Sequence, residues 1–293
     1  MAATFELAKR RLPDPDPPRA SDGFASRAAT RDRSTSLRRR ASRIASLAAC
    51  VALWQAAVHW RLSLGIVTFA NVPAPTDVGP ALWSFLQSPK LPMHLLASVT
   101  RVLAGFVAAA VAGIGLGLAI GRYRALEDTL LPPLEVLRPI PAVAWIPLAI
   151  LMFPSSELSM MFITFVGALF PILLNTVHGA EAVDPRLVAT ARSLGTRGLA
   201  LYAEVILPGA APAIFTGLSI GMGTAWFCLV TAEMIAGQYG IGYFTWESYT
   251  LQNYPDIVVG MALIGLLGMG SSLLVKRIGA ALTPWYAPRG GRS

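Results

Sequence analysis

The chain has 293 residues, of which 54% are hydrophobic and only 14% charged, with a net charge of +8. Soluble domains carry about 25% charged residues, so this composition favours a membrane class. The positive sign does not by itself imply a nucleic-acid partner, because eleven of the 24 Lys and Arg residues precede residue 44.

That N-terminal stretch also contains Pro13, Pro15, Pro17 and Pro18. Residues 1–43 read as a disordered basic cytoplasmic tail, solvated near anionic lipid headgroups. They do not form a secretory signal, since the first apolar stretch starts only near Ile44 and continues into a full span. Cys50 and Cys228 each lie inside an apolar segment. This argues against a structural disulfide and against a metal site, which needs clustered ligands.

A span needs about 20 apolar residues. The first candidate covers residues 44–60, with Trp54 and Trp60 placed to sit near the outer interface. Residues 61–92 are Pro-rich and polar and read as an exposed loop with one short amphipathic helix over 78–86. The second span covers 95–120, broken only by Arg101, and its glycines allow close helix contact. A polar link, 122–128, leads to the third span, 131–153. Pro132, Pro133, Pro139, Pro141 and Pro147 each remove a backbone donor there. Such a segment is expected to be buried in the bundle or to line a cavity, not to face lipid. A turn at 154–157 precedes the fourth span, 158–177. The fifth is expected over 213–236 and the sixth over 257–275, closed by Lys276 and Arg277. Between them, residues 237–256 form a second loop rich in Gly and aromatics, without Lys or Arg.

Six spans put both termini on one side, and Lys and Arg prefer the cytoplasmic side. Placing the termini inside leaves only Arg61 and Lys90 outside. On that reading the long loop 179–208, GAEAVDPRLVATARSLGTRGLALYAEVILP, is cytoplasmic.

This loop holds its own helix signals. Asp184 caps free amides, Pro185 suits the first helical position, and Gly195 is a stop. Leu187, Val188, Ala191 and Leu194 recur at helical spacing and make one apolar face, while Arg186, Thr190 and Ser193 lie largely elsewhere. A second short helix is expected over 196–207, ending before Pro208, so that two small helices meet at a glycine. Periodicity alone allows two readings: a helix that docks into a groove on another protein, or one that lies flat on the lipid surface.

The spacing of Ala191, Gly195 and Val205-Ile206-Leu207-Pro208 resembles the cytoplasmic "EAA" loop of permease subunits in binding-protein-dependent ABC importers. The runs HLLASVTRVLAGF, LEVLRPIPAVAWIPLAIL, VDPRLVATARSLGT, LPGAAPAIFTGL and LTPWY are similar to the branch that handles nitrate, sulfonates, taurine or bicarbonate. The resemblance covers about residues 72–286. It implies an all-α membrane protein of six transmembrane helices with a type I ABC importer permease-like core, residues 44–286, followed by a short cytoplasmic tail at 287–293. It also implies partners: ABC ATPase subunits, a periplasmic or lipid-anchored solute-binding protein, and a second permease copy in a homodimer. The location implied is the bacterial cytoplasmic membrane. Carried over by position, Asp184, Pro185, Arg186, Leu187, Val188, Ala191, Arg192, Leu194 and Gly195 form the ATPase-coupling element. The chain departs from the pattern at one point. The motif's acidic residue falls on Ala189 and its next Ala on Thr190, which leaves Glu181, Asp184 or apolar packing to take over that contact.

Polar groups within the spans are candidates for a substrate pathway: Arg101, Asn175, Trp226, Thr231 and Glu233. Each also has a structural reading. Arg101 fits an anion contact, an ion pair with Glu233 or a side chain reaching outward to the interface, and Glu135 and Arg138 have the spacing of an intrahelical pair. No enzyme constellation appears. Walker-type loops need Gly-Lys-Ser or Gly-Lys-Thr, and the only lysines, Lys9, Lys90 and Lys276, follow Ala, Pro and Val. No cofactor is therefore expected in this chain, and ATP and Mg would reside on the partner ATPase. The competing reading is an ion-coupled secondary transporter working without an ATPase, for which the Pro-rich third span is the only hint.

Overall fold

The computed structural model describes residues 41–63, 65, 69 and 71–286. The basic tail up to residue 40 and the C-terminal tail from 287, with Arg289 and Arg292, lie outside the described residues. The chain divides into two units, Met1–Phe69 and Ala70–Ser293. The first contains helix α1, Ala41–His59, long and apolar enough to cross a membrane.

In the second unit, α2 (Pro75–Leu86) starts with a proline and a capping acid. The Ala74 amide donates to Asp77 Oδ2 at 3.2 Å. Phe85 of α2 stacks on Phe244 with ring centroids 4.1 Å apart. The helices that follow are α3 (Leu91–Ile120), α4 (Arg124–Leu137), α5 (Ile146–Met152), α6 (Ser156–Glu181) and α7 (Pro185–Ser193). Then come α8 (Leu199–Leu201), α9 (Leu207–Ala236), α10 (Ile241–Thr250) and α11 (Tyr254–Leu282). Each apolar helix runs further than its hydropathy predicts. α11 passes Lys276 and Arg277 before ending, because a charged side chain near a helix end can snorkel while the backbone stays helical.

The core is built on α3, α6 and α9. Lipid tails are as apolar as leucine, so helices in a membrane associate through close packing and hydrogen bonds, not through water exclusion. Small residues make that contact possible. A Cβ on Gly105 of α3 would lie 2.7 Å from both Thr164 Cβ and the Met161 carbonyl oxygen of α6. Val102, Phe106, Ile163, Ile172, Met222 and Leu229 fill the space between the three helices.

Several expectations change. The third span is not one irregular rod: α4 and the 142–152 segment meet at 84°. A 3₁₀ turn, Ala142–Trp145, lies between α4 and α5. Pro139 and Pro141 remove two ladder donors within three residues, so the chain leaves the helix instead of bending within it. The two halves differ in burial: α5 packs into the core through Ile146 and Ala149, as expected, whereas α4 does not. α4 has no buried residue, and Val136 is 74% exposed. The pair of Glu135 and Arg138 does not form either; the ion pairs found among the described residues belong to Arg101.

The separate second helix at 196–207 is also absent. The chain from Leu199 runs continuously into the fifth span, through a π turn at Tyr202–Ile206. There the Leu207 amide bonds back to the Tyr202 carbonyl. Pro208 has no N–H to give to the preceding turn. It is accepted because it falls at the start of the α-helical run, just after the wider turn. The stretch 237–256, expected as a loop, contains α10.

Candidate functional site

Two assemblies of polar and exposed residues sit at opposite ends of α3, α6 and α9. The first is α7 and its flanks. Asp184 Oδ1 accepts the Arg186 amide at 2.8 Å, and Pro185 occupies the first turn. At the other end the Gly195 amide donates to Arg192 at 3.1 Å and the Thr196 amide to Ala191 at 3.0 Å. These two bonds form a Schellman closure. It requires a left-handed residue at its centre, and Gly195 supplies it with φ +94. The helix ends at Ser193, one residue earlier than expected.

The predicted single apolar face divides in two. Val188 and Ala191 pack inward on Ala180, Leu201 and Ile206, beside Leu118 of α3. Leu187 and Leu194 point away; Leu194 is 81% exposed, and Leu199 beyond the turn is 87% exposed. Arg186 and Arg192 are exposed with them. The inner residues seat the helix on the end of α6, on α8 and on the π turn. The outer residues offer an apolar and basic surface that no described residue covers. The helical period shows that a face exists, but it does not show which of its residues turn inward.

The second assembly is a buried ion cluster. Arg101 is 3% exposed and Glu233 fully buried. Arg101 Nη1 donates to Glu233 Oε1 at 2.9 Å and to the Tyr239 carbonyl at 2.6 Å. Its Nε and Nη2 donate to Glu157 Oε2 and Oε1 at 2.7 and 2.5 Å. Glu233 also accepts from Ser98 Oγ at 2.8 Å and from the Gly242 amide at 2.9 Å. Ser98 Oγ in turn accepts the Ile241 amide at 2.9 Å. His94 Nδ1 lies 3.1 Å from the Gly240 nitrogen and 3.0 Å from its carbonyl oxygen.

A charge placed alone in hydrocarbon costs about 2.5–3.5 kcal/mol on insertion scales. Here every buried charge is paired and hydrogen-bonded, and the Arg101–Glu157 pair is bidentate. The cluster pins α3, α6 and α9 together and wraps the 237–242 loop around the Glu233 carboxylate. Gly240 has φ +127, and a Cβ there would run into that carboxylate. On the rim, Tyr243 donates to Glu247 at 3.2 Å, and the nearby carboxylate raises the phenol above its ordinary range.

The five residues considered for a pathway do not converge. Arg101 and Glu233 are engaged with each other, in a cluster of one cation and two carboxylates that is a poor host for an anion. Asn175 Nδ2 donates to Pro171 in its own helix at 2.8 Å, and Thr231 to Phe227 at 3.0 Å. Trp226 is buried and donates from Nε1 to Ser271 Oγ of α11 at 2.9 Å. Sequence reasoning missed Glu157, Ser98 and His94 as partners in the cluster. The available signal was that Arg101, Glu157 and Glu233 all fall near the same end of their spans.

The comparisons with known proteins fit this geometry. The profile of the binding-protein-dependent transport system inner membrane component family matches residues 109–288. A putative ABC transporter permease of Methanocaldococcus jannaschii is 40% identical over 177 residues, 60% of this chain and 66% of that protein. The nitrate import permease NrtB of Synechocystis is 36% identical over 228 residues, 75% of this chain and 82% of its own length. The bicarbonate transport system permease CmpB of Synechococcus elongatus is 37% identical over 191 residues, covering 65% and 67% of the two chains. The match takes in α7, its glycine turn and the helices they rest on. The chain is thus a multi-pass membrane protein with the type I ABC permease fold, and it belongs to the family of binding-protein-dependent transport system inner membrane components.

Proposed function

We propose that this chain is the membrane-spanning subunit of an ATP-driven importer for a small oxyanion of the nitrate or bicarbonate type. The relatives' substrates motivate the choice of anion. The chain pairs with a second copy, the termini and α7 face the cytoplasm, and a solute-binding protein delivers substrate at the opposite end. ATPase subunits grip α7, and nucleotide-driven closure swings the helices between inward-open and outward-open arrangements.

The observation that carries this reading is the division of labour on α7. Both its ends are fixed by hydrogen bonds and its inner face is packed on Ala180 of α6, Leu201 of α8 and the π turn, while Leu187, Leu194, Arg186 and Arg192 remain outward. A lever needs these two attachments: a rigid seat on the moving rods and a free surface for the driver. The far ends of the same rods are pinned by the Arg101 cluster, so displacement at α7 becomes a tilt about that end. The exposed helix α4 offers its apolar surface to the second copy.

The test is uptake of radiolabelled nitrate or bicarbonate into liposomes holding the chain, its ATPase and its binding protein. Uptake that needs all three and ATP supports the importer. Uptake by the chain alone, driven by an ion gradient, replaces it with the secondary carrier.

A further inference from the structure

At the end of the molecule opposite α7, a polar cavity of about 220 Å³ opens between α2, α10 and the starts of α3 and α11. Its walls are packed. Phe85 and Phe244, stacked on each other, both line it. Ser248, buried next to them, donates to the Phe244 carbonyl at 2.8 Å. His94, 3% exposed, also lines it. Its Nδ1 is held by Gly240, while its Nε2 has no hydrogen-bond partner among the described residues.

Lys90, Glu247 and Asp256 carry charge into the same cavity, and none of them is in an ion pair among the described residues. Glu247 accepts the Tyr243 hydroxyl on Oε1, and Asp256 the Asn253 side-chain amide on Oδ2. Each carboxylate keeps its other oxygen without a partner among the described residues. One ammonium against two carboxylates is a poor host for an oxyanion and a good one for a cationic group. The group is organic, since no three His, Cys, Asp or Glu side chains among the described residues are grouped to hold a metal ion. Beside the charges, Leu251 is 73% exposed. An occupant therefore meets an apolar rim as well as the carboxylates, a combination that a side chain on a protein surface satisfies and a small free ammonium does not.

We infer that this cavity is a socket for a lysine or arginine side chain of the solute-binding protein. The inference rests on the importer reading above, in which that partner docks at this end. Residues 237–256 contain no Lys or Arg, so a basic partner meets no repulsion there except from Lys90. The socket is also connected inward. His94 holds Gly240, and Gly240 is wrapped against the Glu233 carboxylate. A side chain seated beside His94 thus bears on the cluster that joins α3 to α9.

Surface plasmon resonance of the solute-binding protein on the full-length chain, assembled with its ATPase in nanodiscs, tests it. Glu247→Gln, which keeps an acceptor for Tyr243, is expected to weaken binding about tenfold. Glu247→Gln combined with Asp256→Asn is expected to weaken it further and to flatten its salt dependence. Lys90→Gln is expected not to weaken it, because Lys90 repels the incoming cation. ATPase co-purification checks that each variant is assembled. Wild-type affinity in the carboxylate variants overturns the socket and leaves the importer reading intact. Weakening by Lys90→Gln also overturns the socket, because it would make the cavity an anion site. Absence of binding to the wild-type complex overturns the importer reading, and the socket with it.

Discussion

Arg101 Nη1 lies 2.9 Å from Glu233 Oε1, joining α3 to α9 where neither side chain reaches solvent. The two carboxylates that share this guanidinium are not equivalent. Glu157 is 55% exposed, so water can replace much of what it provides. Glu233 has no such recourse. Removing one partner of a buried pair costs about 3–5 kcal/mol, because the other charge stays behind uncompensated. Glu233→Ala should therefore lower the melting temperature of the purified chain much more than Glu157→Ala. Equal losses in thermal unfolding would show that burial does not set the strength of this cluster.

Gly240 and Gly195 both adopt positive φ, yet they should tolerate alanine differently. At Gly195 nothing lies within 4 Å of a new Cβ, so Gly195→Ala meets only the left-handed backbone cost, about 1–2 kcal/mol. At Gly240 the Cβ would enter the Glu233 carboxylate. Gly240→Ala should thus reduce membrane accumulation of folded chain, and Gly195→Ala should leave it near wild type. Similar accumulation of the two variants would contradict the wrapped-carboxylate geometry.

The start of α7 depends on Asp184. Asp184→Ala should destabilise that helix by about 1 kcal/mol, and Asp184→Asn should retain most of the cap. Amide hydrogen exchange over 185–193 reads the difference directly. Faster exchange in both variants to the same extent would assign Asp184 a role through its charge instead of its cap.

Leu187 and Val188 are neighbours in sequence, yet Leu187 is exposed and Val188 packs inward. Val188→Asp should destabilise the fold, since it places a carboxylate against Leu201 and Ile206. Leu187→Asp should leave thermal stability unchanged and reduce ATPase co-purification tenfold or more. Loss of stability in both, with the partner still bound to Leu187→Asp, would remove the outer face from the interface.

The class of the protein and the position of its long loop were legible in the sequence. Apolar runs set the spans, and Asp184, Pro185 and Gly195 marked α7 to within one residue, because cap chemistry is local. Pairing of Arg101 with Glu233 was inferable from charge economy within hydrocarbon, whereas Glu157 looked like the last residue of the turn 154–157, although it lies two residues after the cap serine Ser155. What failed had non-local or proline-related causes. Pro208 looked like a helix stop, but the π turn before it lets the helix continue. Five prolines marked residues 131–153 as irregular without showing that the answer was a break of 84°. Val188 and Leu187 fit the same helical period, and only the packing of Leu201 and Ile206 decides which of them is buried.

The central claim is that the outer face of α7 is the seat of an ATPase. It is tested most directly by placing a photo-cross-linking amino acid at the position of Leu194, 81% exposed beyond the end of α7, in chain co-expressed with its transport partners. The account predicts an adduct with the ATP-binding subunit whose yield changes when ATP is added. An adduct with the solute-binding protein, or none with the ATPase while the assembled transporter is intact, would contradict it.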